Sequence, residues 1–78
     1  MPMYFFVWSE TTVEHLAEHG VTPDEFEFVV QNPEATGVSR SSGRPWAVAM
    51  LDDGRELFCV YEVIDEMTIE PITAYEVE

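Results

Sequence analysis

His15-Leu16-Ala17-Glu18-His19-Gly20-Val21-Thr22-Pro23-Asp24-Glu25 closes one helix and opens the next, and the rest of the chain is arranged around that corner. Gly20 suits the left-handed residue just past a helix end, because it has no Cβ to clash there. Thr22 then caps a second helix. Pro23 occupies its first position with φ already set, Glu25 completes a Thr-x-x-Glu capping box, and Val21 is placed to staple against Phe26. The pattern predicts a two-helix hairpin.

Working back from the corner, Val13, Leu16 and Ala17 fall at i, i+3 and i+4. They make a narrow apolar stripe on an otherwise acidic surface helix. Ser9 and Thr11 both qualify as its cap: Thr11 forms a capping box with Glu14, whereas Ser9 lets Trp8 staple to Val13. Before it, Met3-Tyr4-Phe5-Phe6-Val7-Trp8 is aromatic and β-branched enough for a strand inside the sheet or under the helices.

Working forward, the second helix spans Pro23 to Gln31, with Phe26, Val29 and Val30 on one stripe and Phe28 on its flank. Asp24 and Glu25 favour the positive end of its dipole. Asn32-Pro33 stops it. The period then becomes twofold. A short strand near Thr36 to Arg40 leads through Ser41-Ser42-Gly43-Arg44 into a strand from Pro45 to Leu51, and Asp53-Gly54 marks a tight hairpin turn. The next strand, Glu56 to Ile64, alternates Leu57, Cys59, Tyr61, Val63 with Phe58, Val60, Glu62, Ile64. Both faces are largely apolar, so it should be central. Asp65-Glu66 reverses the chain into a last strand, Met67 to Val77, where Pro71 demands a sheet edge or a bulge. The order is strand, two-helix hairpin, then a four-stranded antiparallel meander. This predicts an α+β fold, one domain over residues 1–78, with both helices on one face of the sheet.

Composition limits the function. Hydrophobic residues make up 46% of the 78, which supports a packed core against disorder. Sixteen acidic residues against three arginines and no lysine give a formal net charge of −13, which repels nucleic-acid phosphates and anionic membranes at long range and favours basic protein partners. The arginines cluster at Arg40, Arg44 and Arg55, and Gly37 to Leu51 contains no acid. The apolar run at the N-terminus is too short for a membrane span and lacks a basic region and a small-residue cleavage site, so a cytoplasmic protein is expected. The single cysteine, Cys59, reads as a small buried apolar residue.

Several stretches carry a family resemblance. Phe6-Val7-Trp8, Glu18-His19-Gly20-Val21, the acidic second helix ending at Asn32-Pro33, Arg44-Pro45-Trp46-Ala47, Asp53-Gly54-Arg55, Leu57 through Tyr61 and Ile72-Thr73-Ala74 occur in this order across nearly the whole chain. In this the chain resembles the BrnT-like toxins of the wider RelE/ParE toxin superfamily. The resemblance implies a RelE-like fold, a bacterial toxin-antitoxin origin, metal-independent endoribonuclease activity on messenger RNA, and a ribbon-helix-helix antitoxin as partner. The departures run against catalysis. Glu18 stands where relatives usually carry lysine, and Tyr75 and the residues to Glu78 stand where relatives carry arginine and a basic helix.

Cleavage of this type needs groups that orient the 2′-hydroxyl, stabilise the phosphorane and protonate the leaving oxygen. His15, His19, Arg44 and Tyr75 are the candidates for catalysis, with Arg40 and Arg55 as RNA or ligand contacts. His15 and His19 share a helix face, but Leu16 occupies the place where a zinc hydrolase needs glutamate, so no metal site is expected. No phosphate-binding loop or nucleophile motif occurs, and no cofactor is expected. Three functions remain: a ribonuclease toxin, a toxin-fold domain that has lost catalysis and binds protein, and a small-molecule or metal-binding module. The charge favours the second. Its partner-binding surface would be the acidic face formed by Glu10, Glu14, Glu18, Asp24 and Glu27.

Overall fold

The computed structural model describes residues 4–77. Helix α1 covers Glu10–Glu18 and α2 covers Pro23–Gln31. Ser9 caps α1: its Oγ accepts from the Thr12 N–H at 3.1 Å, which settles the choice between Ser9 and Thr11. At the other end Gly20 takes φ 74°, and the N–H groups of Gly20 and Val21 turn back to the carbonyls of Ala17 and Leu16, both at 3.0 Å. This is a Schellman closure. Thr22 Oγ1 accepts from the Glu25 N–H, and the Glu25 carboxylate accepts from the Thr22 N–H, so the capping box is complete.

The strands are β1 (Phe5–Phe6), β2 (Ala35–Val38), β3 (Pro45–Met50), β4 (Glu56–Asp65) and β5 (Thr68–Glu76). They form one five-stranded mixed sheet in the order β1-β5-β4-β3-β2, with β1 parallel to β5 and the other pairs antiparallel. The fold is α+β. The N-terminal strand was expected, but not its parallel pairing with β5, which makes the sheet mixed. β1 is also shorter than the apolar run suggests, and it lies at a sheet edge with Phe5 and Val7 exposed. Met3, at the start of that run, lies outside the described residues. β2 ends at Val38, not Arg40, because the Ser39 N–H and carbonyl bond Arg44 and Gly43 across the turn.

β4 is the central strand. Opposite it, the register steps from Val60↔Thr73 to Tyr61↔Pro71, leaving Ile72 unpaired at a bulge. The bulge accommodates a residue that cannot donate to the ladder. Between β3 and β4 the Leu51 N–H bonds Arg55 and the Gly54 N–H returns to Leu51, with Gly54 at φ 94°.

One face of the sheet holds the core. Ala47, Ala49, Leu57, Cys59, Ile69 and Ala74 are buried beneath Leu16, Val21, Phe26, Val29 and Val30 of the helical layer. Phe26 is fully buried, with Phe6 and Trp8 edge-on to its ring. Burial of such a ring contributes about 1.5–3 kcal/mol. α1 packs against β5, and α2 against β3 and β4. Among the described residues no helix is long and apolar enough to cross a membrane.

Candidate functional site

Since the helices cover one face, strand alternation sends the other half of the side chains to an open face. The register aligns Trp46, Val60 and Thr73 in one row and Val48, Phe58 and Tyr75 in the next. Trp46 stacks on its diagonal neighbour Phe58, and Phe58 on its direct cross-strand partner Tyr75. The Trp46 and Phe58 rings lie 5.0 Å apart at 28°, and Phe58 and Tyr75 lie 5.3 Å apart at 27°. The Trp46 indole rests on Gly37 of β2, where any Cβ would collide with it. The ladder forms the floor of a groove of about 420 Å³, and Ser39, Ser42 and Arg44 of the β2–β3 connection line it as well.

The expected catalytic residues divide around this groove. Arg44 and Tyr75 line it directly. His15 reaches it through Thr73: Nε2 lies 2.9 Å from Thr73 Oγ1, with donor and acceptor set by the ring tautomer. His19 sits edge-on to His15, ring centres 5.1 Å apart, and does not line the groove. Arg44 donates from Nε to the Glu62 carboxylate at 2.9 Å. A phosphate approaching Arg44 therefore meets an ion pair whose carboxylate offsets the guanidinium's charge.

The two expected contact arginines have different surroundings. Arg40 is exposed in the β2–β3 turn and makes no ion pair among the described residues. Arg55 fastens the helix corner to the β3–β4 hairpin: it donates to the Gly20 carbonyl at 2.9 Å, to Asp53 at 2.9 Å and to Glu25. The backbone N–H of Arg55, followed by its guanidinium, holds the Asp53 carboxyl below the usual carboxylate range. Asp53 and then Glu25 raise the guanidinium in turn.

Glu10, Glu14, Glu18 and Asp24 are exposed on the helices, while Glu27 is half-buried and accepts the Trp8 indole N–H at 2.7 Å. A second hollow of about 290 Å³ brings Asp24, Glu25, Asp52 and Asp53 around Phe28 and Leu51. Among the described residues no group of three or more His, Cys, Asp or Glu is arranged to hold a metal ion. Cys59 is enclosed, and burial pushes its thiol up to about 12.

Sequence reasoning missed Trp46, Phe58, Thr73 and Glu62 as groove residues. The apolar second face of β4 was a legible sign of Phe58. The Arg44–Glu62 pair joins residues eighteen positions apart and has no local signal. No family model, no curated protein and no solved structure matches this chain.

Proposed function

We propose that this chain is a BrnT/RelE-like toxin-fold domain with degenerate catalysis, which acts in the cytoplasm by binding a basic protein partner. The observation that carries the reading is the disposition of charge. Two of the three arginines are committed to carboxylates, Arg44 to Glu62 and Arg55 to Glu25 and Asp53. Among the described residues Arg40 is the one arginine without an ion pair, whereas Glu10, Glu14, Glu18 and Asp24 are exposed and unpaired.

Nucleic-acid affinity comes largely from counterions released as Lys and Arg neutralise phosphates, and one or two arginines release few. A field from thirteen net negative charges instead steers a Lys/Arg-rich surface to the domain. The helices on one side of an antiparallel β2–β5 ladder support the family resemblance, under which the partner is a ribbon-helix-helix antitoxin.

Fluorescence anisotropy tests the reading. At about 150 mM salt, where the screening length is roughly 8 Å, a labelled Lys/Arg-rich polypeptide should bind and a labelled single-stranded RNA should not. The reverse order of affinities refutes it.

A second reading, an active metal-independent endoribonuclease, draws support from the placement of Arg44 and Tyr75 along one groove with His15 bonded to its wall. In that case Arg44 leaves Glu62 to neutralise the phosphate, and Tyr75 or His15 transfers the proton.

A further inference from the structure

We propose that the open face of the sheet is the seat for an amphipathic helix of a partner protein, apolar along its centre and Lys/Arg-rich at both ends. The inference rests on the reading above, that the partner is basic, and adds where and how it docks. An antiparallel sheet with one face in water normally alternates apolar-in with polar-out. Here the outward positions include Trp46, Val48, Phe58 and Val60, all half-buried with neither helix over them, and the exposed Tyr75. A contiguous apolar face of this kind marks an interaction surface.

Charge identifies the occupant. Along the open side of β4 the residues run Glu56, Phe58, Val60, Glu62, so two apolar positions lie between carboxylates. Glu70 of β5 stands directly opposite Glu62 and has no ion pair among the described residues, whereas Arg44 offsets the charge of its neighbour Glu62. The six steps from Glu56 to Glu62 extend about 20 Å at ~3.3 Å each. A helix of roughly 13 residues covers the same length at 1.5 Å each. Its apolar stripe would lie on Phe58 and Val60, and its basic ends would meet Glu56 and Glu70. A second copy of this chain would instead set Glu56, Glu62 and Glu70 near their own like charges, between two molecules each at −13.

The test uses the full chain and a synthetic helical peptide with leucines at i, i+3, i+4 and i+7 and lysines at both ends, beside a twin with glutamates for lysines. Binding is read from the Trp46 indole N–H resonance and from stopped-flow rates. The lysine peptide should shift Trp46 and the glutamate twin should not. Val60→Lys should weaken binding by about tenfold or more, since a charge then sits at the centre of the seat. Glu56→Gln with Glu70→Gln should slow association several-fold and flatten its salt dependence, with dissociation little changed.

Equal binding of both peptides, or no effect of Val60→Lys, overturns the seat, as does self-association of the free protein that Val60→Lys abolishes. Loss of binding on Glu14→Lys with Glu18→Lys, and none on Val60→Lys, removes the seat but leaves a basic partner on the helices. RNA bound in preference to either peptide removes both readings.

Discussion

Gly37→Ala is the substitution that most directly probes how the open face is built. Gly37 is an ordinary strand residue without positive φ, so glycine is required there by space and not by backbone conformation. An added Cβ would lie 2.7 Å from Trp46 Cε2 and closer still to Cζ2. The indole has little room to yield, since Phe58 is stacked 5.0 Å behind it. Overpacking a rigid ring costs about 1–3 kcal/mol. Alanine recovers about 0.5–1 kcal/mol of strand backbone entropy relative to glycine. The difference is roughly 0–2.5 kcal/mol and centres on about 1.25 kcal/mol, which for a domain of this size lowers Tm by roughly 5–10 °C.

The control is the same substitution in a Trp46→Ala background, where the clash is gone and Gly37→Ala should stabilise slightly. Urea melts followed by far-UV circular dichroism give all four stabilities. Gly37→Ala as stable as the parent, or equally destabilising in both backgrounds, refutes the seating of Trp46 on Gly37.

Three further predictions test the frame. Gly20→Ala should cost about 1 kcal/mol through the left-handed backbone alone, since no atom lies within 4 Å of its Cβ position; an unchanged urea midpoint contradicts the Schellman closure. Ser9→Ala should cost about 1 kcal/mol, and Thr11→Ala almost nothing, in the same melts; the opposite order would move the cap. The carboxyls of Asp53, held by the Arg55 N–H and guanidinium, and Asp65, held by the Met67 N–H and by Thr68, are lowered below 3.8. The unfolded chain therefore binds protons first, so their contribution is complete above the unfolded value and is lost as pH falls through the folded one. Asp53→Asn and Asp65→Asn should flatten acid titrations of stability, and curves parallel to the parent would refute the assignment.

The corner was legible because its determinants are local. Gly20, Thr22, Pro23 and Glu25 satisfy one another within a few residues, and α2 runs from Pro23 to Gln31 as its periodicity indicates. Pro71, which cannot donate to a ladder, marked either a sheet edge or a bulge, and the structure has the bulge at Ile72. β1 was not legible. Its pairing with Thr68 and Ile69 is parallel and spans most of the chain, and the run Phe5 to Trp8 looks uniformly apolar although Phe5 and Val7 are exposed. Around the groove, strand alternation indicated that Phe58 and Val60 share a face. Nothing in the spacing of Arg44 and Glu62, or of His15 and Thr73, indicated that tertiary packing brings each pair within hydrogen-bonding distance.

The most direct test of the central claim is expression of this chain in a bacterial host beside its Arg44→Ala variant, with growth followed and total RNA examined for cleavage. A domain that works by binding a basic partner, with Arg44 held by Glu62, leaves messages intact in both cultures. Growth arrest with cleaved messages in the parent culture, lost in Arg44→Ala, would contradict the account and establish the groove as a ribonuclease site.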